Sequence, residues 1–73
     1  MDREALLQET SRLSRIVADD AMRIIVQRGL IERLRFGANM TEIEQAEDLL
    51  KVMLEDQTQH EQQLVRLQAM LMF

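Results

Sequence analysis

The chain has 73 residues, 47% of them apolar, with a net charge of −4, no cysteine, no proline and one histidine. That length allows one domain with a thin core, and without cysteine neither a disulfide nor a thiolate metal site can reinforce it. One histidine is too few for an ordinary zinc cluster and the acidic balance disfavours non-specific nucleic-acid binding, so no metal, cofactor or nucleic-acid partner is expected.

Phe36 and Phe73 are the only aromatic residues. Leu, Ile, Met, Ala, Glu, Gln and Arg dominate, and most of these favour helix over strand. The fold class predicted is all-α: an antiparallel two-helix hairpin that dimerises into a four-helix bundle, one domain over residues 1–73. The start, Met1-Asp2-Arg3-Glu4, is polar, and no apolar stretch of signal-peptide length follows it. The longest apolar run, Ala69 to Phe73, is far short of a membrane span. These features read as a soluble, cytoplasmic protein without a membrane partner.

The first helix is expected over about residues 3–35, starting after Asp2 with Glu4 in its first turn, with a later start at Thr10 or Ser11 as the alternative. Gly29 lies inside it and costs about 1 kcal/mol against alanine. It marks a bend, or a place where another backbone comes close. Leu6, Leu13, Ile16, Val17, Ile24, Ile31 and Leu34 fall on one side at about 100° per residue. From Ala21 to Ile31, however, the helix is apolar nearly all round, the pattern of a helix buried on more than one face.

The turn is expected at 36–41, Phe36-Gly37-Ala38-Asn39-Met40-Thr41. Gly37 suits the left-handed position just past a helix end, and Asn39 is a turn residue. Thr41-Glu42-Ile43-Glu44 reads as a capping box opening the second helix, with Thr41 accepting from the Glu44 N–H.

The second helix is expected over about 42–71. Ile43, Ala46, Leu50, Met53, Gln57, His60, Leu64, Leu67 and Leu71 alternate steps of three and four, a heptad seam over four repeats. Gln57 and His60 are polar interruptions of this seam and read as register-setting residues. Residues 1–37 carry seven Arg and six acids, while residues 38–73 carry two bases and seven acids. The two helices therefore attract weakly, at about 0–1 kcal/mol per surface pair.

One hairpin partner cannot cover all of this apolar surface. The residues expected at an interface with a partner are Met22, Ile25, Val26 and Leu30 on the first helix. On the second they are Leu49, Met53, Leu54, Leu64, Leu67, Met70 and Leu71, with Phe73 at the tail. Large apolar patches mark interaction surfaces, and a second copy of the chain is the simplest occupant. A different helical protein is the other.

Candidate chemistry is sparse. Asp56 and His60 are spaced i, i+4 on one helix face, half of a metal site at most, and a metal-dependent enzyme built on them is the weakest alternative function. Asp19-Asp20 reads as an ion-pairing element within reach of Arg23 and Arg28. No catalytic constellation emerges, and no enzyme is expected. Arg12, Arg15 and Arg23 could form a basic strip for RNA. In that layout the chain resembles the plasmid copy-number RNA-binding protein Rop, a short two-helix hairpin that dimerises into a four-helix bundle. The likeness is one of layout, without a shared motif, and implies RNA binding as the alternative function. The acids Glu4, Glu9 and Asp19 interrupt the strip, and no aromatic is interleaved for base stacking. The first expectation is a non-enzymatic helical interaction module acting as a homo-oligomer: an adaptor, a small chaperone or a phage-type inhibitor.

Overall fold

A computed structural model describes residues 2–72, so Phe73 and its expected interface role lie outside the described residues. Two helices, α1 (Arg3–Leu34) and α2 (Met40–Met72), pack against each other as an antiparallel hairpin. The hairpin measures 53 × 14 × 14 Å, the length of a helix of about 32 residues at about 1.5 Å each.

Helix α1 begins where expected. The Asp2 carboxylate accepts a 2.7 Å hydrogen bond from the Ala5 N–H, and Glu4 faces the positive end of the dipole. The helix runs unbroken through Gly29 to Leu34.

The turn differs from expectation in two places. No glycine has a positive φ, so Gly37 is not a left-handed cap. The chain stays right-handed past Leu34: Phe36 N–H donates to the Arg33 carbonyl, and Gly37 N–H to that of Leu34. These bonds satisfy the last carbonyls without a left-handed residue. The second difference is the start of α2. Asn39, not Thr41, caps it, with Asn39 Oδ1 accepting from the Glu42 N–H at 2.9 Å. Asn39 and Glu42 have the same spacing as Thr41 and Glu44, and asparagine is at least as good a cap as threonine. The earlier cap draws Met40 and Thr41 into the helix.

The core is a single seam. Leu6, Leu13, Ile24 and Ile31 of α1 and Ala46 of α2 are buried. Ile43, Leu50, Met53, Gln57, His60, Leu64, Leu67 and Leu71 are all half-buried, so the heptad positions of α2 are the ones that turn toward α1. Among the described residues no side chain is fully enclosed. A two-helix hairpin covers each helix on one side only, and this one is correspondingly thin. No described helix is long and apolar enough to cross a membrane.

Candidate functional site

Two features of the hairpin are not explained by ordinary apolar packing. One is polar and lies inside the seam. The other is apolar and faces out.

Asp20 and Gln27 are buried in the middle of α1, between Leu13 and Ile31. Helical spacing gives them no choice, since both share the face of Ile24. Each finds a partner on α2. Gln27 Nε2 donates to the Ala46 carbonyl at 2.9 Å, across a site where the small alanine leaves room. His60 Nδ1 lies 2.6 Å from Asp20 Oδ2. An ionised carboxylate has only acceptors, so the imidazole donates through Nδ1. The two i, i+4 and i+3 pairings read from single helices are thereby corrected. His60 is bound to Asp20 rather than to Asp56, and Asp20 turns inward to His60 rather than to Arg23 or Arg28. Asp56 remains on the exposed side. Thr10, also on the seam, satisfies its hydroxyl on the Leu6 carbonyl. No buried side-chain polar atom among the described residues lacks a partner.

As chemistry, Asp20 and His60 make an acid–base pair with the carboxylate buried and the imidazole half-buried. Among the described residues no three His, Cys, Asp or Glu side chains converge to hold a metal ion.

The outward feature is on α1. Met22, Ile25 and Val26 are 62%, 63% and 64% exposed. They lie about half a helical turn from Ile24, Gln27 and Ile31, on the side of α1 away from α2. Leu30 flanks them and is exposed as well, and Leu7 is exposed about 22 Å from Met22 toward the N-terminus. Gly29 sits among them, and a Cβ added there would meet nothing.

The residues expected at a partner interface therefore fall into two groups. Met22, Ile25, Val26, Leu30, Leu49 and Met70 are exposed. Met53, Leu64, Leu67 and Leu71 lie half-buried on the seam of the hairpin itself, and Leu54 is half-buried beside it. Gln57 lies on that seam too, one turn before His60.

The arginine strip is divided. Arg12 and Arg15 line one shallow groove on α1 with Ser11 and Ile16. Arg23 is outside it, about 16 Å along the axis from Arg12. Arg12 is held by Glu9 through two contacts, one of them a 3.0 Å bond from Nε. Hydrogen bonding from Arg12 keeps the Glu9 carboxyl below the usual carboxylate range, and Glu9 holds the Arg12 guanidinium above its ordinary value. The charges near the turn are paired similarly, Arg35 with Glu32 at 3.5 Å and with Glu47 at 3.8 Å.

Comparison with protein-family models, with curated proteins and with solved structures finds no match in any of the three.

Proposed function

We propose that the chain is a non-enzymatic helical interaction module that acts as a homodimer through the outer face of α1. The observation carrying this reading is the cluster Met22, Ile25 and Val26, solvent-exposed on the side of α1 away from α2. Apolar side chains so grouped mark an interaction surface.

The dimensions point the same way. The accessible surface is 5687 Å², against about 4,700 Å² for a compact monomer of this mass. The excess, about 1,000 Å², is close to the ~800 Å² that each partner commits to a standard interface. In a dimer built on this face α1 lies between α2 and the partner, and the all-round apolar character of residues 21–31 has its reason. The dimer has four helices with the two α1 helices at its centre. Its remaining surface is then free for an adaptor, chaperone or inhibitor role toward a further protein. An RNA-binding role has no comparable support, because Arg12 is occupied by Glu9.

The test is absolute mass by light scattering during size-exclusion, over a dilution series. A mass twice the 8.6 kDa of the chain is expected, with Met22→Lys shifting the protein to monomer while helicity is retained. A monomer at every concentration would overturn self-association and hand the face to another protein.

A further inference from the structure

We infer that the second copy lies antiparallel to the first across this face, α1 against the partner's α1, with Met22 of each copy seated over Ala18 of the other. The inference rests on the reading of the outer face as a self-association surface, and adds its orientation and register.

Along α1, exposed positions recur by heptad-like steps from Glu4 to Arg33, through Leu7, Ser11, Arg15, Ala18, Met22, Ile25 and Gly29. At about 100° per residue these nine fall within an arc of about 80°. That arc lies opposite Asp20, Ile24, Gln27 and Ile31, the residues buried against α2. The outer face is thus one continuous stripe, apolar from Ala18 to Gly29 and more polar toward both ends.

Its charges choose the orientation. Glu4 stands at one end and Arg33 at the other. Neither is in an ion pair within the chain among the described residues, whereas Glu9, Arg12, Glu32, Arg35 and Glu47 are. A parallel partner would set Glu4 against Glu4 and Arg33 against Arg33. An antiparallel one brings Glu4 within one turn of the partner's Arg33, and two-fold symmetry repeats the contact. Interfacial charges of this kind act mainly on orientation and register.

Side-chain size supports the same register. When Met22 lies level with the partner's Ala18, Gly29 lies level with Ser11, and Ile25 lies level with Arg15, whose methylene stem covers it. Leu7 comes level with Arg33, whose methylene stem covers it. A partner shifted toward the most apolar stretch would instead bring Arg33 against Arg15.

The natural absence of cysteine makes a clean test possible in the full chain. Glu4→Cys and Arg33→Cys are made separately, mixed, and treated with a short bismaleimide. The expected product is the mixed dimer. Each variant alone should give none, because like positions are then about 40 Å apart at Arg33 and about 50 Å apart at Glu4. Cross-links within the unmixed samples, or none in any sample, would overturn the antiparallel register if light scattering still showed a dimer. A monomer by light scattering would overturn the self-association reading as well.

A charge cycle adds a readout that folding defects do not mimic. Glu4→Arg and Arg33→Glu each oppose the helix dipole, so on helix stability alone the double variant is the worst. If the two residues meet across the interface, each single change weakens the dimer about 3- to 30-fold and the double variant recovers most of the loss. A double variant weaker than both singles overturns the pairing.

Discussion

His60 on α2 and Asp20 on α1, 40 residues apart, are joined at 2.6 Å inside the seam. A polar pair in an otherwise apolar seam stabilises little in itself, since desolvation offsets much of the attraction. Its effect is on register. A slip of one heptad would set Asp20 opposite Met53 and His60 opposite Leu13, or Asp20 opposite Leu67. Either leaves a buried carboxylate without a donor.

Removing one partner is therefore expected to differ sharply from removing both. His60→Ala strands Asp20, and its cost should be about 1–3 kcal/mol by denaturant unfolding. Asp20→Leu with His60→Leu removes both groups and should unfold at or above the wild-type midpoint. The gain comes with a loss of uniqueness, visible as broadened amide resonances or a second oligomeric species. A double variant less stable than His60→Ala would show that the pair is not coupled.

Gln27 and Ala46 form the neighbouring contact, with different consequences. The Ala46 carbonyl already serves the α2 ladder, so it does not depend on Gln27. Gln27→Leu should therefore change stability by less than about 1.5 kcal/mol. Ala46→Leu fills the space through which Gln27 reaches, and overpacking of this kind costs about 1–3 kcal/mol. Thermal melts of the two variants would check the order, and a larger loss for Gln27→Leu would contradict it.

At the turn, Asn39 and Thr41 offer overlapping caps of the same spacing. With Asn39 bonded to the Glu42 N–H, Asn39→Ala should cost about 1 kcal/mol. Thr41→Ala, in the first turn of α2 and not bonded as its cap, should leave stability within about 0.5 kcal/mol of wild type. Equal losses would mean that the two caps exchange.

Much of the hairpin is legible in the residues themselves. The seam of α2, from Ile43 to Leu71, follows from a period of three and four alone, and so does the stripe from Leu6 to Leu34. The cap at Asp2 has no competitor nearby. What escapes is whatever depends on how the helices align. Asp20, near the apolar side of α1, has apparent partners in Arg23 and Arg28 while that helix is considered by itself, and His60 has one a turn back in Asp56. Only the alignment of the two seams brings 20 to 60. The same holds for the interface residues. Met53, Leu64, Leu67 and Leu71 look available for a partner until α1 is seen to cover their side of α2. The start of α2 escapes for a local reason, since Asn39 and Thr41 both satisfy the rule for a cap.

Gly29 separates the stability of the hairpin from that of its assembly. It sits within α1 with open space around its Cα and no positive φ, so the isolated hairpin has no use for glycine there. Replacing it with alanine should raise the melting point at low protein concentration, by about 0.5–1 kcal/mol in stability. Gly29→Leu keeps most of that gain in helix propensity, but sets a bulky side chain on the face where the partner's α1 is proposed to lie. The two-fold repeats the clash. The Gly29→Leu dimer should therefore dissociate at least about tenfold more readily, an effect of about 1.4 kcal/mol, while its monomer melts above wild type. Opposite movements of monomer stability and dimer affinity identify Gly29 as a contact position. If both rise together in Gly29→Leu, the outer face of α1 is not where the copies meet.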